Sequence, residues 1–130
     1  MKILVGYDYS TVTQEVLALA KKQAKAFNAQ VHLLRSLSQD PKLQRDAVQH
    51  AEENLEHVKR EFTTLGLDCE RHVEISGLSP GEYLVQFAEQ NSVDLIVIGV
   101  RRRSKVGKLL FGSNAQLIIL TAPCPVLTVK

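Results

Sequence analysis

The stretch Asp-Leu-Ile-Val-Ile-Gly at residues 94–99 decides the fold. Its four central residues are all apolar, without any alternation between apolar and polar side chains. A strand with one face in water alternates, whereas a parallel strand covered by helices on both faces is apolar throughout. The stretch therefore predicts a central strand of a parallel sheet, with Ile98 and Gly99 at its carboxyl end.

Four further strand patterns and four helical patterns surround this stretch. The strands are expected at residues 2–6, 29–36, 67–75 and 125–129, with helical patterns between them. Strands that alternate with helices imply a parallel sheet with right-handed crossovers. The two uniformly apolar strands, at residues 2–6 and 94–99, are expected to be central neighbours in a doubly wound α/β layer structure.

Apolar residues recur every three or four positions in the first two helical patterns, which is typical of a helix packed on a sheet. The two stripes consist of Val16, Ala20, Ala24 and Phe27 in the first helix and Leu43, Ala47, Ala51, Leu55, Val58, Phe62 and Leu65 in the second. We expect both stripes to face the sheet, and we expect Gly66 to end the second helix in a left-handed conformation.

The composition predicts one globular domain over residues 1–130. With 45% hydrophobic and 23% charged residues, the chain can bury a core. Its apolar runs are shorter than the roughly 20 residues of a membrane span, and its first residues lack the apolar segment of a secretory signal. We therefore expect a cytoplasmic protein without membrane contact. Cys69 and Cys124 are expected on opposite sheet edges, too far apart for a disulfide.

Positive charge is concentrated in one segment. The net charge is only +2, yet the segment 101–108 carries Arg101, Arg102, Arg103, Lys105 and Lys108. A surface for nucleic acid needs roughly 6–10 phosphate contacts and usually stacking aromatic residues. Only Phe111 stands nearby, and it is expected in the core. We therefore rank nucleic acid below a small nucleotide as the ligand.

The basic segment belongs to a glycine-punctuated stretch, Gly-Val-Arg-Arg-Arg-Ser-Lys-Val-Gly-Lys-Leu-Leu-Phe-Gly-Ser at residues 99–113. It resembles the phosphate loop of the universal stress protein family, whose pattern is Gly, two residues, Gly, nine residues, Gly, then Ser or Thr. Gly99, Gly112 and Ser113 match in register, whereas Arg102 replaces the second glycine. Residues 5–10, 94–99 and 122–127 also look like family signature stretches, so the chain is identified as a member.

The resemblance implies a fold, a ligand and an assembly. The fold is a five-stranded parallel sheet of order 3-2-1-4-5, similar to that of the adenine nucleotide alpha hydrolases. The ligand is ATP or another adenine nucleotide, with or without Mg²⁺, at the junction of strands one and four. The resemblance also implies a role in stress-response signalling and a homodimer formed through the strand at residues 125–129, an apolar sheet edge that would otherwise be exposed.

The nucleotide-binding residues follow from the same resemblance. Adenine and ribose would be contacted from Gly6, Tyr7, Asp8, Ser36 and Ile98, whereas Gly99, Arg101, Arg102, Gly112, Ser113 and Asn114 would surround the ribose and phosphates. The Gly112-Ser113 turn starts a helix, where free N–H groups and the positive dipole end attract phosphate. A plainer interpretation is that Gly99 only ends a strand and Gly112 only precedes a helix.

Arg102 leaves two hypotheses open. Its guanidinium could bind the phosphates, or its side chain could fill the space that the family's glycine leaves for them. In the second case the protein would be a nucleotide-free interaction or scaffold protein of the same fold. Its arginine segment would then contact an acidic protein or nucleic acid.

Two patterns that could indicate an enzyme point instead to structural or surface roles. Residues 77–81 match the Gly-x-Ser-x-Gly pattern of hydrolases, but Pro80 has no N–H for an oxyanion hole, so Ser79 is better explained as a helix N-cap. The four histidines, His32, His50, His57 and His72, show no metal-ligand spacing, and His50 and His57 are expected on the surface. We predict no metal site and no catalytic residue, with slow ATP hydrolysis at most.

Overall fold

A computed structural model describes residues 1–7, 13–40, 45–100 and 112–130. In chain order the elements are β1 (Lys2–Gly6), α1 (Thr13–Phe27), β2 (Gln30–Ser38), α2 (Arg45–Thr64), β3 (Cys69–Ser76), α3 (Pro80–Gln90), β4 (Leu95–Gly99), α4 (Ser113–Thr121) and β5 (Val126–Val129). The strands form one parallel sheet in the order β3-β2-β1-β4-β5. The predicted doubly wound sheet and its strand order are confirmed.

Helices cover both faces of the central strands, and each face has its own core. In β1, Ile3, Leu4 and Val5 are completely buried. Because successive side chains of a strand point to opposite faces, Ile3 and Val5 pack with α1 and α2, whereas Leu4 packs with α3 and α4. The absence of alternation in the apolar strands, noted in the sequence, is thus the result of burial on two sides.

Most of the predicted helix stripes face the sheet, but their ends do not. Val16, Ala20 and Ala24 of α1 are buried, as are Ala51, Leu55, Val58 and Phe62 of α2. In contrast, Ala47 is exposed, and Phe27 and Leu65 are 55% and 44% exposed. These three residues lie near helix ends or just beyond them, where the periodicity continues but the sheet no longer covers it. Leu43 lies outside the described residues.

The second strand is longer at its carboxyl end than the sequence predicted. We expected it to end at Ser36, but it continues to Ser38 because β3 pairs with it as far as Ser38↔Ser76. The chain turns after α2 as expected, since Gly66 has a φ of +77°. A left-handed residue of this kind is a common helix terminator.

Both cysteines are free, as predicted. Cys69 begins β3 and Cys124 precedes β5, so they flank the two opposite edges of the sheet. Burial raises the pKa of the Cys69 thiol to about 12. The thiol is therefore protonated at neutral pH, and a buried protonated thiol is chemically inert.

Two phenylalanines allow a test of the difference in burial between the middle and the end of an apolar stripe. Phe62 is completely buried on α2, whereas Phe27 is 55% exposed at the end of α1. Phe62→Ala should lower the free energy of unfolding by about 3–5 kcal/mol, because it removes buried surface and leaves a cavity. Phe27→Ala, the matched control, should cost less than about 1 kcal/mol. Urea denaturation measures both, and equal losses would contradict the assigned burial.

Candidate functional site

The direction of winding reverses between β1 and β4. The chain leaves β1 toward β2 and β3 with α1 and α2 on one face, whereas α3 and α4 cover the other face beside β4 and β5. The two strands run in register, with Val5 opposite Val97, so Gly6 lies beside Ile98 at their carboxyl ends. In open parallel sheets, ligands bind in the crevice at such a reversal.

Gly6 lies on the face of the sheet that α3 and α4 cover, and it has a packing role there. A Cβ atom at this position would lie 2.8 Å from Leu84 Cδ1 and 3.0 Å from Ile98 Cγ2. Ile98 itself is buried in the core beneath α3 and α4. Both residues therefore lie at the carboxyl ends of the two central strands, and the absence of a side chain at Gly6 lets α3 approach β1 closely.

Tyr7 is turned toward the opposite layer. Its backbone N–H donates to the carbonyl of Leu34 at 2.9 Å, and its hydroxyl donates to Asn54 Oδ1 at 2.7 Å on α2. The ring packs against the core formed with α1 and α2. The backbone of Tyr7 therefore lies at the carboxyl end of β1, near the predicted site. Its side chain instead connects β1 to α2.

Ser36 forms one side of the crevice because β2 is longer than β1. Gly6, the last residue of β1, pairs with Leu34, so Ser36 lies two residues beyond that end. Alternation places it on the same face as Leu34, the side of α3 and α4. Its Oγ is buried and has no hydrogen-bond partner among the described residues. A buried hydroxyl without a partner is costly, so Ser36 is suited to bind a polar ligand.

The amino end of α4 has no side-chain cap among the described residues. Gly112 is its N-cap, with extended backbone and no side-chain capping hydrogen bond among the described residues. In contrast, Ser79 caps α3, where its Oγ accepts from Glu82 N at 3.2 Å. The predicted N-cap role of Ser79 is confirmed. The first turn of α4 also lacks acidic residues, so its positive dipole end is available to an anion.

Asn114 joins the amino ends of α3 and α4. Its Oδ1 accepts a hydrogen bond from the Gly81 N–H at 2.9 Å. A Cβ atom on Gly81 would lie only 3.0 Å from the Asn114 carbonyl oxygen and from Oδ1. Gly81, the last residue of the hydrolase-like pattern, is therefore a glycine because α3 and α4 pack closely at this point. Asn114 has an architectural role in addition to the binding role predicted for it.

Not all predicted site residues can be placed. The structure brings Gly6, Ser36 and Ile98 to one face at the carboxyl edge of the sheet, and Gly99 ends the neighbouring β4. Gly112 and Ser113 start α4. Asp8, Arg101 and Arg102 lie outside the described residues, as does the whole basic segment at residues 101–108. Their predicted contacts with a nucleotide stay predictions.

The structure also brings together two histidines that are far apart in the sequence. Pairing of β2 with β3 brings His32 and His72 together beneath α3, 3.0 Å apart between His32 Nδ1 and His72 Nε2. No spacing along the chain could indicate this, because the two residues are 40 positions apart. His50 and His57 are exposed on α2, as predicted.

The strand order and the helices on both faces place the chain among the doubly wound α/β proteins, in which ligands bind at the carboxyl edge of the sheet where the winding reverses. The whole chain, residues 1–130, matches the family model of the Universal stress protein family. The chain belongs to the universal stress protein family, as its glycine-punctuated stretch predicted.

Individual relatives show the same likeness. The chain is 33% identical over 134 residues to the universal stress protein in the QAH/OAS sulfhydrylase 3′ region of Thermus aquaticus, covering 98% of this chain and 97% of that protein. A solved universal stress protein from Archaeoglobus fulgidus is 33% identical, with a TM-score of 0.88 and coverage of 100% and 98% of the two chains.

A second solved structure bears on the ligand. The universal stress protein from Archaeoglobus fulgidus in complex with dAMP is 29% identical to this chain and superimposes with a TM-score of 0.83. The match covers 100% of this chain and 98% of the other. That relative therefore binds a deoxyadenosine monophosphate on the same fold.

No helix within residues 1–7, 13–40, 45–100 and 112–130 is long and apolar enough to cross a membrane.

Proposed function

We propose that this protein is a cytoplasmic, single-domain stress-response module that binds an adenine nucleotide, ATP or AMP, where β1 and β4 end. The observation that carries the proposal is the amino end of α4, which has no side-chain cap within the described part of the chain and packs beside the amino end of α3. Backbone N–H groups and the helix dipole favour a phosphate group at such a position. The dAMP complex of the Archaeoglobus fulgidus relative supports an adenine nucleotide as the ligand.

The positions of these residues suggest which of them would contact the nucleoside and which the phosphates. Ser36 Oγ, buried without a partner among the described residues, is suited to the nucleoside, together with Asp8 and the backbone of Gly6 and Tyr7 above Ile98. Phosphate would lie at the turn that Gly112 and Ser113 form, with Gly99, Asn114, Arg101 and Arg102 around the ribose and phosphates. Mg²⁺ would accompany ATP, since this ion is usually held by substrate phosphates.

The proposed role is binding and signalling rather than catalysis. The histidines in the described part of the chain are either exposed on α2 or engaged with each other beneath α3. A hydrolase needs a general base within hydrogen-bond reach of the attacking water. Any ATP hydrolysis is therefore expected to be slow, and the nucleotide would act as a bound signal.

Nucleotide binding can be tested at Gly112. We expect protein stripped of bound small molecules to bind ATP with Mg²⁺, or AMP, at one molecule per chain in isothermal titration calorimetry. Gly112→Trp should abolish binding, because an indole would cover the amino end of α4. The φ of −66° at this N-cap suits any residue, so the variant should stay folded.

Circular dichroism and urea denaturation provide the control for that experiment. A folded Gly112→Trp variant that binds nucleotide as tightly as the wild type would place the phosphate elsewhere. A wild-type protein that contains no nucleotide after purification and ignores both ATP and AMP would contradict the proposed function.

The replacement of the family's second glycine by Arg102 favours the second candidate, a nucleotide-free scaffold protein. Arg102→Gly distinguishes the two roles of this side chain. If the guanidinium binds phosphate, the variant should lose affinity, since a charge-assisted hydrogen bond contributes about 1.5–3 kcal/mol. If the side chain fills the site, the variant should bind nucleotide more tightly than the wild type. Arg103→Gly is the matched control for removing one positive charge from the same segment.

We also propose that the protein forms a homodimer through β5. This strand pairs with β4 on one side only, and Leu120 on the preceding helix is 81% exposed. The carbonyls of Pro125 and Val129 accept hydrogen bonds from β4 and from the residue that follows it. Alternation then directs the N–H of Val126 and Thr128 outward, toward a strand that a second copy could supply.

The dimer can be tested at the exposed residue Thr128. Thr128→Pro removes an N–H that faces away from β4, so it should weaken dimerisation without breaking the β4–β5 ladder. Thr128→Ala keeps the N–H and should stay dimeric. Sedimentation velocity measures both. Monomeric wild-type protein, or a Thr128→Pro variant that dimerises like Thr128→Ala, would contradict pairing at this edge.

A further inference from the structure

His32, Glu70 and His72 form a cluster of potential metal ligands on the face of the sheet that α3 covers. The register of β2 and β3 pairs His32 with Glu70 and Leu34 with His72, so the three side chains share one face. One nitrogen of each histidine and one carboxylate oxygen lie within 4.8 Å of one another. Ser36 is four residues beyond His32 along β2 and two residues beyond Leu34, with which His72 pairs. None of the three cluster residues belongs to the predicted nucleotide-binding set.

The distances within the cluster match those of a metal site. His32 Nδ1 and His72 Nε2 are 3.0 Å apart, and Glu70 Oε2 lies 3.7 Å from the first and 3.9 Å from the second. The nearest point equidistant from these three atoms lies in their plane, about 2.1 Å from each, and zinc binds nitrogen and carboxylate oxygen at about 2.0–2.2 Å.

A simple hydrogen-bonded histidine pair explains only part of this arrangement. It accounts for the 3.0 Å between the two nitrogens. It does not account for Glu70, whose oxygen lies beyond hydrogen-bond distance from both rings and almost equally far from each. The carboxylate is nevertheless close enough to both nitrogens for one ion to contact all three atoms.

Neighbouring residues set the His32 tautomer that a metal requires. Gln30 Nε2 donates to Asp68 Oδ2 at 3.2 Å, which leaves Gln30 Oε1 as the acceptor beside His32 Nε2 at 3.0 Å. His32 must therefore carry its proton on Nε2, and the lone pair on Nδ1 faces His72 and Glu70. A hydrogen bond to the second ring nitrogen is the usual way in which proteins orient a histidine ligand.

The surroundings hold both rings in place. The Phe87 ring packs on both histidines, with centroid distances of 5.9 Å to His32 and 4.9 Å to His72.

We propose that His32, Glu70 and His72 bind a Zn²⁺ ion, with solvent as the fourth ligand. Two imidazoles and one carboxylate suit zinc, whereas Mg²⁺ prefers oxygen ligands alone. The side chain of Glu70 is 53% exposed and that of His72 is 24% exposed, so solvent can reach the fourth position. The ion would tie the edge strand β3 to β2 and would do so independently of nucleotide.

The test is a titration of the full-length protein with ZnCl₂ after treatment with EDTA and removal of the chelator. We expect calorimetry and metal analysis after dialysis to give one Zn²⁺ per chain, and we expect Zn²⁺ to raise the melting temperature. MgCl₂ should do neither. Gln30→Ala removes only the hydrogen bond to the ligand His32, so it should weaken Zn²⁺ binding roughly 10–100-fold. His72→Gln removes a ligand itself and should weaken Zn²⁺ binding more than Gln30→Ala does.

His57→Gln is the matched control, because His57 is exposed on α2 and its loss should leave Zn²⁺ binding unchanged. Should His72→Gln fail to fold, Glu70→Gln decides the question, since this side chain is 53% exposed and the substitution keeps its size. It should bind Zn²⁺ at least tenfold more weakly. Wild-type protein without stoichiometric Zn²⁺ binding, or a folded Glu70→Gln variant that binds as tightly as the wild type, would overturn the proposal.

Discussion

The pairing of β1 with β4 is the contact on which the rest of the structure depends. Both strands are buried on both faces, and their register places Ile3 opposite Leu95 and Val5 opposite Val97. Buried apolar surface contributes roughly 25 cal/mol per Å², so two such strands favour a position in the middle of the sheet over any edge position. Helices must then cover both faces, and the chain must reverse its winding between the two strands.

The candidate nucleotide site follows from that reversal together with unequal strand lengths. β1 stops at Gly6, whereas its neighbour β2 continues to Ser38, so the carboxyl edge has a step beside the crevice. Close packing of Gly81 on Asn114 then holds the amino ends of α3 and α4 together above the same face. The uncapped turn at Gly112 is thereby fixed in the frame of the sheet. An anion site needs this preorganisation, because free N–H groups attract phosphate only when their directions converge.

The proposed zinc site depends on a different property of the sheet, the register of its edge strand. In β3 every second side chain faces α3, so Glu70 and His72 share one face only because the strand has no bulge between them. A shift of one residue would turn both away from His32. A Zn²⁺ ion bound across β2 and β3 would stabilise the pairing of these two strands. That pairing in turn positions the ligands of the ion. The proposed nucleotide site lies further along β2, where Ser36 follows Leu34 by two residues.

Local sequence patterns predicted secondary structure and burial correctly where a single physical cause, the burial of apolar side chains, dominates. Apolar runs identified the central strands, and the three-and-four spacing identified the buried middle of α2, including Ala51, Leu55 and Phe62. The same spacing was wrong at Phe27 and Leu65, because periodicity does not indicate where a sheet ends. The second strand was predicted too short, since its last two residues are held by β3 rather than by their own propensity.

The sequence by itself determined the order and type of the elements, the family, and the helix start at Gly112-Ser113, because these depend on residues close together in the chain. Tertiary structure alone decided which distant side chains meet. It turned the Tyr7 side chain toward Asn54, engaged Asn114 with Gly81, left the Ser36 hydroxyl buried beside the crevice, and brought His32 to His72. The reason is that strand register and helix packing fix contacts between residues tens of positions apart, and these distances leave no trace in local spacing.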